Sequence, residues 1–334
     1  MRRRRRQSGR TPFAGAGQWD VADGSPSGRR RLLSMVMIAL WPTVSWGAGE
    51  PDAFALSGLG ARPAAMGGAF TGLADDVEAV YYNPAGLGWV KESAITAMVQ
   101  PAALDTSRSF LALDKTWRHD RFPGGVGLGW VHLGSKNIEI TNAEEKVLGT
   151  DNLSNDLLLL SSGVRAFEHV SLGGAVKYFR FAFHGFSESG FGYDLSVQAQ
   201  YEYVRFGLDW TDLSGTVLSG KSITWAQTDV TDKVPSRFRP GVAFLWPQPY
   251  GLPIHLKYAT DALMNLEGSQ DLRFFTGGEV LGWDDRAAFR MGFQEGTGPT
   301  FGAGARLKCL QVDYSYLLSL HLRDEHRIST TFHF

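Results

Sequence analysis

The residues best suited to chemistry do not assemble into a familiar catalytic pattern. The 8 histidines are scattered along 334 residues without the spacing of a metal-ligand set. Cys309 is the single cysteine, which excludes an intramolecular disulfide framework and a cysteine-based zinc cluster. It falls in the register that follows Leu307, as a small apolar surface residue rather than a reactive thiol. Serine, histidine and aspartate are present, but no nucleophile elbow accompanies them. Gly58-Leu59-Gly60 opens as a dinucleotide loop would. The sixth position is Pro63, however, and no strand–helix unit surrounds it. The sequence therefore predicts no catalytic residue, cofactor or metal site, and the chain does not read as an enzyme.

The elements that carry the polar residues read differently. Hydrophobic residues make up 43%, charged residues 20%, and mean hydropathy is -0.15. That is too apolar for disorder. Only one apolar run approaches bilayer-spanning length, so a helical membrane bundle is excluded. Glycine is 40 of 334 residues, about 12% against an average near 7%, with no collagen period. A net charge of -1 gives no reason to expect a nucleic-acid partner. At the N-terminus, an arginine-rich stretch precedes the short apolar run Leu32 to Trp46 and small residues. This is the layout of a secretory signal peptide. Residues 1–47 are assigned to it and its leader, with 1–28 either an over-called gene start or an unusually long leader.

From about residue 92 the pattern has period two. Phe191, Tyr193, Leu195, Val197, Ala199, Tyr201 and Tyr203 point one way, and Gly192, Asp194, Ser196, Gln198, Gln200 and Glu202 the other. Helical periodicity cannot produce this. About fourteen such segments are legible. They lie near 92–100, 108–117, 123–133, 155–166, 169–183, 189–203, 203–212, 236–246, 252–260, 270–280, 285–294, 298–308, 309–319 and 323–334. Long loops are expected at 134–154 and 212–235. Strands of about 9–11 residues suit a tilted bilayer crossing. The second face carries Arg205, Arg237, Arg239, Lys257, Arg273, Arg290, Arg306, Lys308 and Arg327 against Asp194, Glu202, Asp209, Glu279 and Asp313. A positive surplus in a confined lumen attracts anions, although mutual pairing and pairing with a plug would use most of these charges. A soluble β-sandwich would also alternate. The signal peptide and the chain end favour an all-β, transmembrane antiparallel β-barrel of about fourteen strands.

The chain end is a strong local signal. Phe334, Phe332, Thr330 and Ile328 share one face, with His333, Thr331, Ser329 and Arg327 on the other. A last strand ending in phenylalanine looks like the signal read by the outer-membrane barrel assembly machinery. That machinery and outer-membrane lipid are expected partners, in the outer membrane of a Gram-negative-type bacterium.

Residues 48–90 are assigned to a plug; 52–90 do not alternate and small side chains dominate their first half, as in a plug packed inside a barrel (91–334). Asp75 and Glu78 have capping-box spacing, which predicts a short helix through Tyr82. Asn83 before Pro84 should leave the α region and end it, and Pro84 can open another tight turn. Gly60-Ala61-Arg62, Met66-Gly67-Gly68-Ala69-Phe70, Ala74-Asp75-Asp76 and Asn83-Pro84-Ala85-Gly86-Leu87 resemble the N-terminal hatch of the FadL-type transporters and the related PorV/PorQ-type outer-membrane proteins. Val312-Asp313-Tyr314-Ser315-Tyr316 and His326-Arg327-Ile328-Ser329 also look like the PorV/PorQ type. The resemblance implies a fourteen-stranded barrel with a luminal N-terminal plug. Arg62, Asp75 and Asp76 are expected to tie that plug to the charged wall.

The resemblance implies either of two roles. One is passage of long-chain fatty acids and other hydrophobic compounds. The other is binding of secreted cargo protein in type IX secretion. Transport is favoured here, and it requires an apolar pocket above the plug and an inward kink or gap in one strand. The client could then be a hydrophobic small molecule; a secreted protein is the alternative.

Overall fold

The computed structural model describes residues 58–101, 105–142, 146–222, 229–249, 252–267, 272–320 and 324–334. The expected signal peptide, residues 1–47, and the start of the plug segment lie outside these. So do residues 223–228 of the expected loop 212–235.

Alternating residues build strands here because one face is exposed on the outside and the other packs against the interior. The strands are β1 (Ala94–Pro101), β2 (Thr106–Trp117), β3 (Gly124–Thr141), β4 (Val147–Arg165), β5 (Val170–Phe183), β6 (Phe186–Gln200), β7 (Val204–Thr211), β8 (Thr216–Ser222), β9 (Asp229–Val234), β10 (Arg237–Pro247), β11 (Ile254–Asn265), β12 (Leu272–Gly282), β13 (Ala287–Gln294), β14 (Gly298–Leu307), β15 (Leu310–Leu317) and β16 (Glu325–His333). β1–β7 and β10–β16 pair antiparallel in turn, and β16 returns to β1 with Ile95 opposite Phe332. The result is a closed barrel of fourteen strands. Its outer face carries the bulky apolar series. Leu195 is 56% exposed while its neighbour Ser196, facing inward, is 4% exposed.

Both expected long loops are largely strand. β3 and β4 continue as a hairpin to Thr141 and from Val147, although 134–141 alternates poorly in sequence. The segment 212–235 contains the β8–β9 hairpin, which pairs with the far end of β6. Glu202, expected in the lumen, is exposed in the β6–β7 turn, and Cys309 is exposed in the β14–β15 turn. Both miss the alternation because the strands end two residues before them, at Gln200 and Leu307.

Residues 58–90 lie inside the barrel. They form helices α1 (Ala61–Ala65) and α2 (Ala79–Tyr82) and a 3-10 turn, Pro84–Gly88. Asn83 is extended, and its side chain accepts from Ala85 N. The capping box does not form. Asp75 is held by cations, and Asp76 instead accepts from Glu78 N at 2.9 Å. Beyond the plug, Met98, Phe110, Val131, Leu157, Phe179 and Leu218 extend its apolar core of Leu59, Phe70 and Tyr82 towards the far end.

Candidate functional site: plug, vestibule and wall break

A plug with so little regular structure leaves many backbone groups unpaired, and burial makes each one costly. The wall supplies the partners. Ala61 N donates to Ser329 Oγ at 2.8 Å, and Gly67 N to Thr300 Oγ1 at 3.0 Å. Phe70 N and Thr71 N both donate to Asp261 Oδ2 at 2.9 Å. Gln198 Nε2 donates to Gly72 O, Ser161 Oγ to Val80 O, and Ser171 Oγ to Ala85 O. Arg239 donates to the Gly68 carbonyl. Between these polar residues the wall presents glycines. A Cβ at Gly163, Gly173, Gly207, Gly277 or Gly292 would overlap plug backbone at Pro84, Ala85, Thr71, Met66 or Gly67. Asp261, Thr300, Gln198 and the inward glycines are therefore residues of the site that sequence motifs did not single out, while Ser329 belongs to the His326–Ser329 motif.

Charge closes the plug on its other side. Arg62 lies on α1 and donates from Nε and Nη2 to Glu279 of β12, at 3.0 and 2.9 Å. Its Nη1 meets Asp75 at 2.7 Å and Asp76 at 2.5 Å. Asp75 also pairs with Lys257 at 2.9 Å and Arg205 at 3.3 Å. Glu279 and Asp313 share Arg290, each at 2.7 Å. Burial alone would raise the Asp75 carboxyl; Arg62, Lys257 and Arg205 instead hold it well below the usual carboxylate range. Glu78 goes the other way. Burial, with Asp76 and Asp313 beside it, pushes its carboxyl well up. Burial also pushes the Tyr82 hydroxyl up to about 12.

Of the other inward cations, Arg237 is buried and donates from Nε to Asn265 Oδ1 at 3.1 Å, while Arg239 pairs with Asp261 at 3.2 Å. Arg306 reaches Glu92 at 2.5 Å on the rim. Met66, Asn83 and Pro84 are buried within the plug.

Two features flank this core. The first is a polar cavity of about 800 Å³ at the end where β1 begins and β16 ends. Its floor is the Arg62–Asp75–Glu279 network, and its walls include Trp89, Arg118, Arg165, Arg306 and His333. The second is a break in the wall. β7 stops at Thr211, and Asp212, Ser214 and Gly215 all take positive φ, at 52°, 63° and 74°. The chain then crosses the inner face of β6. A Cβ at Gly190 would meet Val217 O, and one at Gly192 would meet Asp212 and Thr216. Lys177 fixes the bend by bridging Asp194 at 2.8 Å and Asp212 at 2.7 Å. Leu213 N gives β6 a single bond, to Tyr193 O at 2.9 Å.

At the chain end, Phe332 and Phe334 stack on the outer face with ring centroids 6.4 Å apart, and Phe334 N donates to Ser93 O.

No protein-family model and no curated protein matches the sequence. Solved structures do. The toluene transporter TbuX of Ralstonia pickettii superposes with a TM-score of 0.57 at 15% identity, over 84% of this chain and 100% of that one. The Pseudomonas putida toluene transporter TodX gives 0.57 at 12%, over 84% and 99%. The CymD monoaromatic hydrocarbon channel gives 0.58 at 14%, over 84% and 99%. The chain shares the fold of these hydrocarbon channels. The PorV/PorQ-type kinship expected from the hatch motif, and the secretion role that would follow from it, gain nothing from these relatives.

Proposed function

We propose that this barrel sits in the outer membrane and passes small hydrophobic or amphipathic molecules inward without an energy source. The observation that carries the reading is the inward break of the wall at Asp212–Gly215, clamped by Lys177. An intact barrel wall has no reason to leave its hydrogen-bond ladder there, since each lost pairing must be replaced. Relatives in fold that are named as toluene and monoaromatic hydrocarbon channels support it. The turns at the end that bears the chain terminus are short, and the extended β3–β4 and β8–β9 hairpins stand at the other. Outer-membrane barrels put short turns in the periplasm and long hairpins outside. The polar cavity is then the periplasmic vestibule below the plug. On this reading β16 is the strand presented to the assembly machinery.

The test is uptake of radiolabelled toluene, and separately of oleate, by cells expressing the chain or an empty vector. Uptake above the control for either supports the reading, and Lys177→Met should lower it with the amount of folded barrel unchanged. Uptake equal to the empty vector for both compounds refutes it.

A further inference from the structure

We infer that the outer wall of β3–β5 is a binding site for one membrane lipid with a phosphate-bearing headgroup. The cross-strand register lays three rows on the outward face. Leu128, Leu160 and Val176 are mutual partners; above them come Trp130, Leu158 and Tyr178; above those come His132, Asp156 and Arg180. The two lower rows, with Leu111 and Leu113 of β2 opposite them, line a groove of about 510 Å³. The groove is apolar apart from its edge, and it has the length of several strand widths.

Its shape depends on Trp130. The indole donates to Asp156 Oδ1 at 3.1 Å and stacks on His132 with centroids 5.6 Å apart. Pinned in this way, the ring lies along the wall as one side of the groove. Asp156 is fully engaged: His132 Nδ1 lies 2.8 Å from Oδ1, and Ser154 Oγ donates to Oδ2 at 3.2 Å. Arg180 stands at the end of this row, exposed, with no carboxylate partner among the described residues. An acyl chain in the groove would bring its headgroup to this unspent guanidinium. Arginine donates in a planar fork that suits phosphate oxygens. Bulk lipid would cover any apolar wall; the groove with a lone arginine at its mouth selects one anionic lipid molecule.

The test uses the full chain, purified in detergent and stripped of lipid, with dipalmitoyl phosphatidylglycerol followed by native mass spectrometry. One lipid per barrel is expected to survive gas-phase activation. Arg180→Gln removes a charge-assisted bond and should weaken that adduct about tenfold. Val176→Trp fills the groove and should abolish it. Phe293→Trp, which likewise places an indole on the outer face but on β13, should leave it intact. Equal binding by wild type and Arg180→Gln would overturn the inference. So would equal binding of uncharged dipalmitoylglycerol, equal binding of glycerol phosphate alone, or a second barrel occupying the site. None of these readouts depends on solute uptake, so failure here is separable from failure of the transport reading.

Discussion

Removing the Arg62 guanidinium should free the plug without dissolving the barrel. Arg62 makes four charge-assisted contacts, two to Glu279 and one each to Asp75 and Asp76. Such bonds contribute about 1.5–3 kcal/mol each when isolated, but they do not add here. After Arg62→Met, Glu279 keeps Arg290 at 2.7 Å, and Asp75 keeps Lys257 at 2.9 Å and Arg205 at 3.3 Å. Asp76 Oδ2 loses its cation, while Oδ1 still accepts from Glu78 N. The net loss should therefore sit at the low end of the range for a broken buried ion pair, about 3 kcal/mol, or roughly a hundredfold in the equilibrium for plug release. The assay is labelling of Ala64→Cys, in a Cys309→Ser background, by a membrane-impermeant maleimide. Ala64 is buried in α1, so its labelling rate reports plug opening. A double-mutant cycle with Glu279→Gln should show coupling, since the two residues share two bonds. Labelling of Arg62→Met within about threefold of wild type, a change of under roughly 1 kcal/mol, would refute the claim that this network retains the plug.

Three further outcomes follow from the geometry. Leu195→Arg puts a charge on the exposed outer face, which on the outer-membrane reading should cost about 2–4 kcal/mol of folding in bilayers near the midplane, whereas Gln311→Arg, lining the vestibule, should be far milder in the same titration. Glu78→Gln should raise plug stability at neutral and alkaline pH: a carboxyl whose folded pKa is raised binds more protons folded than unfolded, so wild type loses stability as pH climbs above the ordinary carboxylate value. The depressed Asp75 has the opposite sign and loses its contribution only as pH falls below that ordinary value; maleimide labelling across pH checks both. Phe334→Ala should reduce the fraction of heat-modifiable barrel recovered in the outer membrane, because the terminal outward pair with Phe332 would be lost; unchanged recovery would show that these two rings are not read during assembly.

The barrel was legible in sequence because the period of a strand is two and each inward–outward alternation repeats the same physical choice. All fourteen wall segments could be placed from it, and the bulky series led by Phe191 and Leu195 faces outward. Alternation has nothing to say where both faces of a hairpin meet water. The upper β3–β4 segment therefore reads as a loop, although backbone pairing extends it; β8 and β9, of seven and six residues, read as loop because they are short, although Leu218 and Val234 on them are buried. It is equally silent about which inward residue touches what. Asp75 and Glu78 had the spacing of a capping box, but three cations compete for Asp75 at short range and win.

The inward face carries information of a second kind, which composition registered only as a glycine excess. Gly163, Gly173, Gly207, Gly277 and Gly292 occupy positions where the plug backbone lies directly on the wall. The Ser, Thr, Gln and Asp residues interleaved with them satisfy that backbone. A water-filled lumen imposes neither demand, because water fills space and hydrogen-bonds without help. Small and short polar residues opposite a non-periodic N-terminal stretch are thus the sequence trace of an occupied lumen. The occupied region ends at the cavity lined by Arg118, Arg165 and Arg306. On the proposed transport reading, a solute would have to displace plug from wall at the glycine contacts or leave sideways at the Asp212–Gly215 break. Leaving at the break would require no loss of the Arg62 network, which would make the wall the less costly route.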